Sequence, residues 1–393
     1  MSTTSAPKAL GARLSALHAA TFMGIGVYQP FFPVWLQSKA VSPTLIGVIL
    51  AIPIVVRILL TTPLLSLADH ATGPRRLLMA SHLGQVVCYP VLMVVDDGLA
   101  IAVLMAVIAT FQTAVVPAND LVTTAALRRH RHLHYGRLRG WGSVAFLLAS
   151  IAAGYLVDAT GAGVVVWALA LTPVLGLLAT HLAVPAAGDP DIRPAEAVRE
   201  RPGRLPAVLW LLLIAAALTQ ASHAGVYAFG SIHWRTSGFS DATIGYFWAT
   251  GVVAEIAVFY GLGRAVGHGS AGLGLLLLGS GAAAVRFAAL ATDPGLAATF
   301  ALQALHGLSF GATHLGTMAA LAALAPESAR GRAQGLAGSV VALGAATATV
   351  ASGEIYRAAG PAVFAAMAPL GAGGFVLMLL AVRRLRAQDT SSG

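Results

Sequence analysis

Pro185-Ala186-Ala187-Gly188-Asp189-Pro190-Asp191-Ile192-Arg193-Pro194-Ala195-Glu196-Ala197-Val198-Arg199-Glu200-Arg201-Pro202-Gly203-Arg204-Leu205 is the internal stretch in which proline and charge crowd together. On both sides of it the texture is apolar. Of 393 residues, 57% are hydrophobic and only 10% are charged, where soluble domains carry roughly 25% charged residues; mean hydropathy is +0.79. Runs of about 20 apolar residues, long enough to cross a hydrocarbon core, recur along the chain. They begin near Arg13, Pro43, Leu77, Leu99, Arg139 and Val164, and again near Pro206, Thr243, Gly272, Leu296, Ala333 and Ala362. Six runs precede the charged stretch and six follow it. The chain therefore reads as an all-α membrane protein of twelve spans: a six-helix bundle at 1–184, a cytoplasmic linker at 185–205, and a second six-helix bundle at 206–393 with a short cytoplasmic tail. The first run contains Pro30 and Pro33 and leads directly into the second, so it reads as a retained span and not as a cleaved signal peptide.

Basic residues orient the spans. Nineteen of the 24 Lys and Arg residues fall on one side of the alternating loops, among them Arg75, Arg76, Arg128, Arg129, Arg131, Arg137 and Arg139. Lys39, Arg235 and Arg357 fall on the other side, and Arg57 and Arg286 lie inside spans. The positive-inside rule then places the rich side and both termini in the cytoplasm of a bacterial-type inner membrane. The net charge of +9 comes from short clusters between apolar runs, so it reports topology and not nucleic-acid binding. The lone Cys88 excludes a disulfide framework and a cysteine metal site. His130, His132 and His134 alternate with arginines and read as a basic anchor on anionic lipid rather than as metal ligands. No nucleophile–base motif, metal cluster or phosphate loop points to an enzyme. No metal or cofactor is expected; the expected partners are a small-molecule substrate, protons and the lipid bilayer, with the chain acting as a monomer.

The halves repeat each other. An offset of 199 residues places Gly26-Val27-Tyr28 on Gly225-Val226-Tyr227 and Trp35 on Trp234; 198 places Ile46-Gly47 on Ile244-Gly245; 194 places Asp120-Leu121-x-Thr123 on His314-Leu315-x-Thr317. A same-direction repeat of six spans predicts two pseudo-symmetric bundles, an architecture of secondary transporters with the substrate site between the repeats.

Polar groups inside the spans carry the chemistry. A charge at mid-bilayer costs about 2.5–3.5 kcal/mol on insertion scales, so it faces a cavity or a partner. Here the charges are Arg57, Asp120, Glu255 and Arg286. Helical spacing aligns Gln303, His306, Phe310, His314 and Thr317 on the tenth span, Gln220, His223, Tyr227 and Trp234 on the seventh, and Thr21, Gly24, Tyr28 and Trp35 on the first. One such stripe could simply bind helices together. Three stripes with four charges point to a water-accessible pathway. His18 and His82 lie nearer span ends and read as structural.

Gly26-Val27-Tyr28-Gln29-Pro30-Phe31-Phe32-Pro33-Val34-Trp35-Leu36 resembles the first helix of the lactose-permease and phenylpropionate-permease branches of the major facilitator superfamily. Tyr135-Gly136-Arg137-Leu138-Arg139-Gly140-Trp141-Gly142 is similar to the opening of the superfamily's fifth span. Leu67-Ala68-Asp69-His70-Ala71-Thr72-Gly73-Pro74-Arg75-Arg76 is similar to its gating loop between spans two and three, with His70 where the pattern has arginine. The resemblance implies a major facilitator fold. It also implies that Asp120 takes the place of a substrate-binding acid, Arg139 that of its partner, Arg286 that of the ninth-span arginine of proton coupling, and His306 that of the tenth-span histidine. The acid usual three residues after that histidine is Ser309 here, and the eighth-span acid is displaced by one turn to Glu255.

Buried cations beside aromatic rings suit a small organic anion with an aromatic body. The expected function is proton-coupled symport of such an acid by alternating access. Tyr28, Asp120, Arg139, His223, Tyr227, Trp234 and His314 are assigned to substrate binding, Glu255, Arg286, His306 and Arg57 to proton coupling, and Asp69, Arg75 and Arg76 to the gating loop. The alternatives are drug or metabolite efflux by proton antiport, against which Gly142 to Gly154 contains no proline, and a non-transporting membrane assembly factor on the same fold.

Overall fold

A computed structural model describes residues 5–67, 73–184, 205–262 and 271–391. Asp69 and all of the expected linker except Leu205 lie outside the described residues. Among those described there is no strand, and twelve helices are long and apolar enough to cross a membrane: Ala9–Ser38, Pro43–Leu67, Gly73–Val94, Gly98–Arg129, Tyr135–Thr160, Val164–Ala183, Ala207–Thr236, Asp241–Leu262, Gly272–Leu290, Leu296–Leu324, Glu327–Ala359 and Ala362–Leu385. They are numbered here as spans one to twelve. Several start earlier than the hydrophobic runs suggest. The third span opens on Gly73-Pro74-Arg75-Arg76 and the fifth on Tyr135-Gly136-Arg137, so polar first turns belong to the helix although they add nothing to the apolar run. Large apolar side chains such as Leu59, Leu83, Leu99, Val103, Trp167 and Leu171 are exposed, as a lipid-facing surface requires.

The chain divides into two compact units. One takes Met1–Val41, Val55–Ala197 and Gly238–Ala249; the other takes Ser42–Ile54, Val198–Ser237 and Thr250–Gly393. Relative to the halves 1–184 and 206–393, the units trade the leading turns of spans two and eight. In the first unit the Asp158 carboxylate, at the end of span five, accepts hydrogen bonds from the backbone N–H groups of Asp241 and Ala242 at 2.8 Å each. These are orphan donors of a helix start, where an anion is favoured. In the second unit the Thr44 hydroxyl, on the leading turn of span two, donates to Glu354 Oε1 at 2.9 Å.

Three spans are interrupted. Span four is two helices, Gly98–Gln112 and Val115–Arg129, and span seven is also two, Ala207–Ala221 and Ala224–Thr236. Span ten carries a π-helical turn at Gly307–Ala312 between Leu296–Ala304 and Thr313–Leu324. Irregular backbone inside a membrane persists where protein or a lined cavity satisfies it, and π turns concentrate at functional sites.

Tight helix crossings hold each unit together, because association in lipid rests on close packing more than on apolar transfer. In the first unit Gly26 of span one lies against Phe146 of span five, so that a Cβ there would sit 2.5 Å from the Phe146 carbonyl oxygen. Gly136, by contrast, has open space around it. Alanine is the better helix former by about 1 kcal/mol at an unencumbered site. Gly136→Ala should therefore leave the melting temperature of the purified protein unchanged or slightly raised, whereas Gly26→Ala should lower it by several degrees, since overpacking costs about 1–3 kcal/mol. Equal melting temperatures for the two variants would contradict this packing.

Candidate functional site

Arg286 organises the second unit. Its side chain, on span nine, is 1% exposed, and all its hydrogen-bond acceptors are neutral. Nη2 donates to Gln303 Oε1 at 2.7 Å, while Nη1 donates to His306 Nδ1 at 3.1 Å and to Ser309 Oγ at 3.3 Å. Its Nε is buried without a partner. Among the described residues no carboxylate touches the guanidinium. The nearest link to one runs through His306, whose Nε2 lies 3.9 Å from Glu255 Oε2 on span eight. A buried cation left uncompensated is costly by several kcal/mol, so this charge depends on what Glu255 and the surrounding dipoles supply.

Local backbone places these groups. Gly307 on span ten sits where a Cβ would be 2.5 Å from the Ala254 carbonyl oxygen, and this close crossing brings Glu255, the next residue of span eight, beside His306. The π turn that starts at Gly307 realigns the tenth span. His306 stacks on Phe310 at 5.2 Å and Phe310 on His314 at 6.5 Å, with interplanar angles of 21° and 5°, so residues four apart form one column of rings. Ser309 and Gln303 meanwhile turn toward Arg286. At the break in span seven the carbonyls of Thr219 and Gln220, which also accept from the Ser222 hydroxyl and the His223 backbone N–H, lie 3.1 and 3.3 Å from His223 Nδ1. His223 Nε2 reaches Ser309 Oγ at 3.0 Å. Tyr227 completes the cluster with ring contacts to His223 at 5.7 Å and His306 at 6.2 Å.

The first unit holds two separate polar groupings. Toward one end of spans one, four and five, the Tyr135 hydroxyl donates to Asp120 Oδ1 at 2.7 Å and is also hydrogen-bonded by Arg139. The Arg139 guanidinium stacks over the Phe22 ring at 3.6 Å. His18 Nε2 meets Thr123 Oγ1 at 2.9 Å and Asn119 donates to Thr21 at 2.8 Å, tying span four to span one. Farther along span one, Tyr28 stacks on Phe32 at 4.7 Å and Phe32 on Trp35 at 5.4 Å. The Tyr28 hydroxyl is buried without a partner, and Gln112 at the break of span four donates to the Tyr89 hydroxyl.

The expected site residues thus fall into groups. Glu255, Arg286, His306, His223 and Tyr227 are brought together in the second unit. His314 ends the ring column, exposed, with Phe259 edge-on at 6.1 Å. Trp234 is buried eleven residues beyond His223, about 16 Å along a helix. Asp120 and Arg139 meet through Tyr135, and Tyr28 lies in the other grouping of the first unit. Arg57 is exposed on span two and belongs to the first unit, whereas Glu255 belongs to the second. Of the gating residues, Arg75 Nη2 lies 3.1 Å from His181 Nδ1 of span six and Arg76 is exposed. Among the described residues no group of three or more His, Cys, Asp or Glu side chains could hold a metal ion. The sequence reading did not assign Gln303 and Ser309 as partners of Arg286, nor Phe22 and Tyr135 as partners of Arg139, and it passed over Tyr89 and Gln112. For Gln112 a signal existed: the 194-residue offset that pairs Asp120 with His314 also pairs Gln112 with His306.

Comparison with known proteins agrees with this architecture. The model of the "MFS_1 like family" matches residues 12–366. The "Probable 3-phenylpropionic acid transporter" of Escherichia coli (strain K12) is 30% identical over 359 residues, covering 88% of this chain and 91% of that protein. The "Maltose permease" of Geobacillus stearothermophilus is 28% identical over 383 residues, covering 94% of each. Among solved structures, a variant of the nucleoside transporter NupG superposes with a TM-score of 0.80 at 13% identity, over 95% of this chain and 99% of that one. The human organic anion transporter MFSD10 does so with a TM-score of 0.63 at 15% identity, again over 95% and 99%. The structural likenesses share the twelve-span fold alone; the family match extends over most of the sequence, and the chain belongs to the MFS_1 like family of major facilitator transporters, not to an enzyme family.

Proposed function

We propose that the protein is a proton-coupled symporter of a small aromatic carboxylic acid, working by alternating access of its two six-span halves, 1–184 and 206–393, in a bacterial-type inner membrane. The observation that supports this reading most is a fully buried arginine whose hydrogen-bond acceptors among the described residues are all neutral, linked through one histidine to one carboxylate and flanked by the rings of His223, Tyr227, Phe287 and Phe310. A permanent buried cation favours an anionic cargo, and planar rings favour an aromatic body. The relative named as a probable 3-phenylpropionic acid transporter supports the same substrate class. In this reading Glu255 is the proton carrier. Asp120, Tyr135 and Arg139 form the polar grouping of the first unit that contacts substrate, together with Tyr28. An acid that changes its cationic surroundings between two conformations binds a proton in one and releases it in the other, which is what coupling requires.

Both termini are assigned to the cytoplasm by the nineteen-to-three asymmetry of basic residues. In a Cys88→Ala background, a membrane-impermeant thiol reagent applied to intact cells should label cysteines placed at Asp97 or Ser240 and leave one at His132 unlabelled; the reverse pattern would invert the topology.

Glu255→Gln holds the position in its protonated form. In proteoliposomes it should preserve exchange of labelled 3-phenylpropionate across the membrane while abolishing accumulation driven by an inward proton gradient. Normal uphill accumulation by this variant would remove Glu255 from the coupling path.

A further inference from the structure

The donors and acceptors around Arg286 fix the protonation pattern of both histidines. A guanidinium only donates hydrogen bonds and a peptide carbonyl only accepts them. Arg286 Nη1 lies 3.1 Å from His306 Nδ1, so Nδ1 must be the acceptor and the ring proton of His306 sits on Nε2. His223 faces the carbonyls of Thr219 and Gln220 with Nδ1, so its proton sits there. Its Nε2 then accepts from the Ser309 hydroxyl, whose oxygen in turn accepts from Arg286. Every bond in the network points outward from the guanidinium. The two histidines carry opposite tautomers, and the network delivers one N–H, that of His306 Nε2, toward Glu255.

That N–H is incompletely used. Glu255 Oε2 stands at 3.9 Å from Nε2, beyond direct hydrogen-bond reach, and this edge is the open edge of the cluster: the side chains of His306 and Glu255 are 11% and 24% exposed, whereas Arg286 is sealed. The charged and titratable groups facing His306 are Glu255 from span eight, Arg286 from span nine, and His223 and Tyr227 from span seven; Phe310 covers its ring face. With Glu255 ionised the cluster is neutral. With Glu255 protonated it holds one positive charge.

We propose that His306 Nε2–H is the docking donor for the carboxylate of the substrate. Arg286 holds it in that tautomer, and Glu255 yields it on taking up the coupled proton, so that a monoanion is loaded with each proton. The inference rests on the reading of the protein as an organic-anion symporter and gives that reading its ligand group, its charge state and its order of loading. One carboxylate replaces another opposite the same N–H; the single bond formed is the O–H of Glu255, whose proton comes from hydronium in the adjoining water, and no covalent bond to the substrate is made or broken. The Phe310 and His314 rings, stacked in line with His306, offer the flat surface on which an aromatic body would lie.

The tautomers can be read without any ligand. In full-length protein labelled with 15N-histidine, the His306 signal, assigned by its loss in His306→Gln, should report a neutral ring protonated at Nε2 at neutral pH. In Arg286→Gln, protonation confined to Nε2 should be lost. A His306 ring protonated at Nδ1, or at both nitrogens, would overturn the proposal.

Binding then tests the docking step, with 3-phenylpropionate as the probe and its primary amide as the uncharged control. Above the range in which Glu255 holds a proton, wild-type affinity should fall about tenfold per pH unit. Glu255→Gln should remove that slope. His306→Ala should weaken binding by about tenfold or more, the scale of a hydrogen bond to a charged group. His306→Gln, which can accept from Arg286 and donate outward with the same polarity but cannot titrate, should recover part of the affinity and keep the slope. A slope that vanishes in His306→Gln, a slope that persists in Glu255→Gln, or an amide bound as tightly as the acid would each overturn the docking role and leave the symport reading standing. No binding of 3-phenylpropionate by folded wild-type protein at any pH would instead count against the symport reading for this substrate class, and the docking role would fall with it.

Discussion

A guanidinium sealed inside a membrane protein, with no carboxylate among the described residues in contact with it, constrains everything around it. Arg286 cannot lose its charge at any physiological pH, and hydrocarbon cannot solvate it. The second unit supplies instead a shell of neutral acceptors: Gln303, His306 and Ser309 from one turn and a half of span ten. Building that shell requires unusual backbone. Within the π turn at Gly307–Ala312, Ser309 reaches Arg286 while His306, Phe310 and His314 stack in one column. The same Gly307 lets span eight approach closely enough to set Glu255 beside the histidine. Packing, backbone irregularity and charge placement in this unit are one design.

The first unit repeats the geometry without the charge. Tyr28 corresponds to Tyr227 by the 199-residue offset, and Gln112 to His306 by the 194-residue offset. Where Arg286 donates to His306 in one unit, Gln112 donates to the Tyr89 hydroxyl in the other. Span four breaks where Gln112 sits, as span ten distorts where His306 sits. The offset-matched positions thus carry two chemistries, a permanent charge in one unit and neutral hydrogen-bonding groups in the other. The first unit's own charges, Asp120 and Arg139, lie on a different level, joined by Tyr135 and braced against Phe22.

Most of the architecture was legible from the sequence because bilayer crossing is a constraint on long apolar runs, and long runs survive uncertainty about individual residues. The span count followed from it. The first turns of spans three and five were missed because Arg75, Arg76 and Arg137 are helical yet polar. The cluster of His223, Tyr227, His306, Arg286 and Glu255 was visible as stripes and isolated charges. Its wiring was not. Helical spacing assumes a uniform helix, so it could not show a π turn at the position of Ser309, nor that a break at Ser222-His223 would set a histidine ring against the carbonyls of Thr219 and Gln220. Likewise, the alignment of Trp234 with His223 on one face ignored the distance along the helix, which separates them by about 16 Å.

The central claim is that charge is conserved inside the carrier: one proton on Glu255 admits one carboxylate. Its most direct measurement is uptake of labelled 3-phenylpropionate into proteoliposomes under an imposed proton gradient alone, and under a potassium–valinomycin membrane potential alone. Electroneutral loading predicts accumulation that follows the proton gradient and no accumulation from a potential of either sign. Accumulation that follows the potential at equal pH on both sides, or none under the proton gradient, would contradict the account.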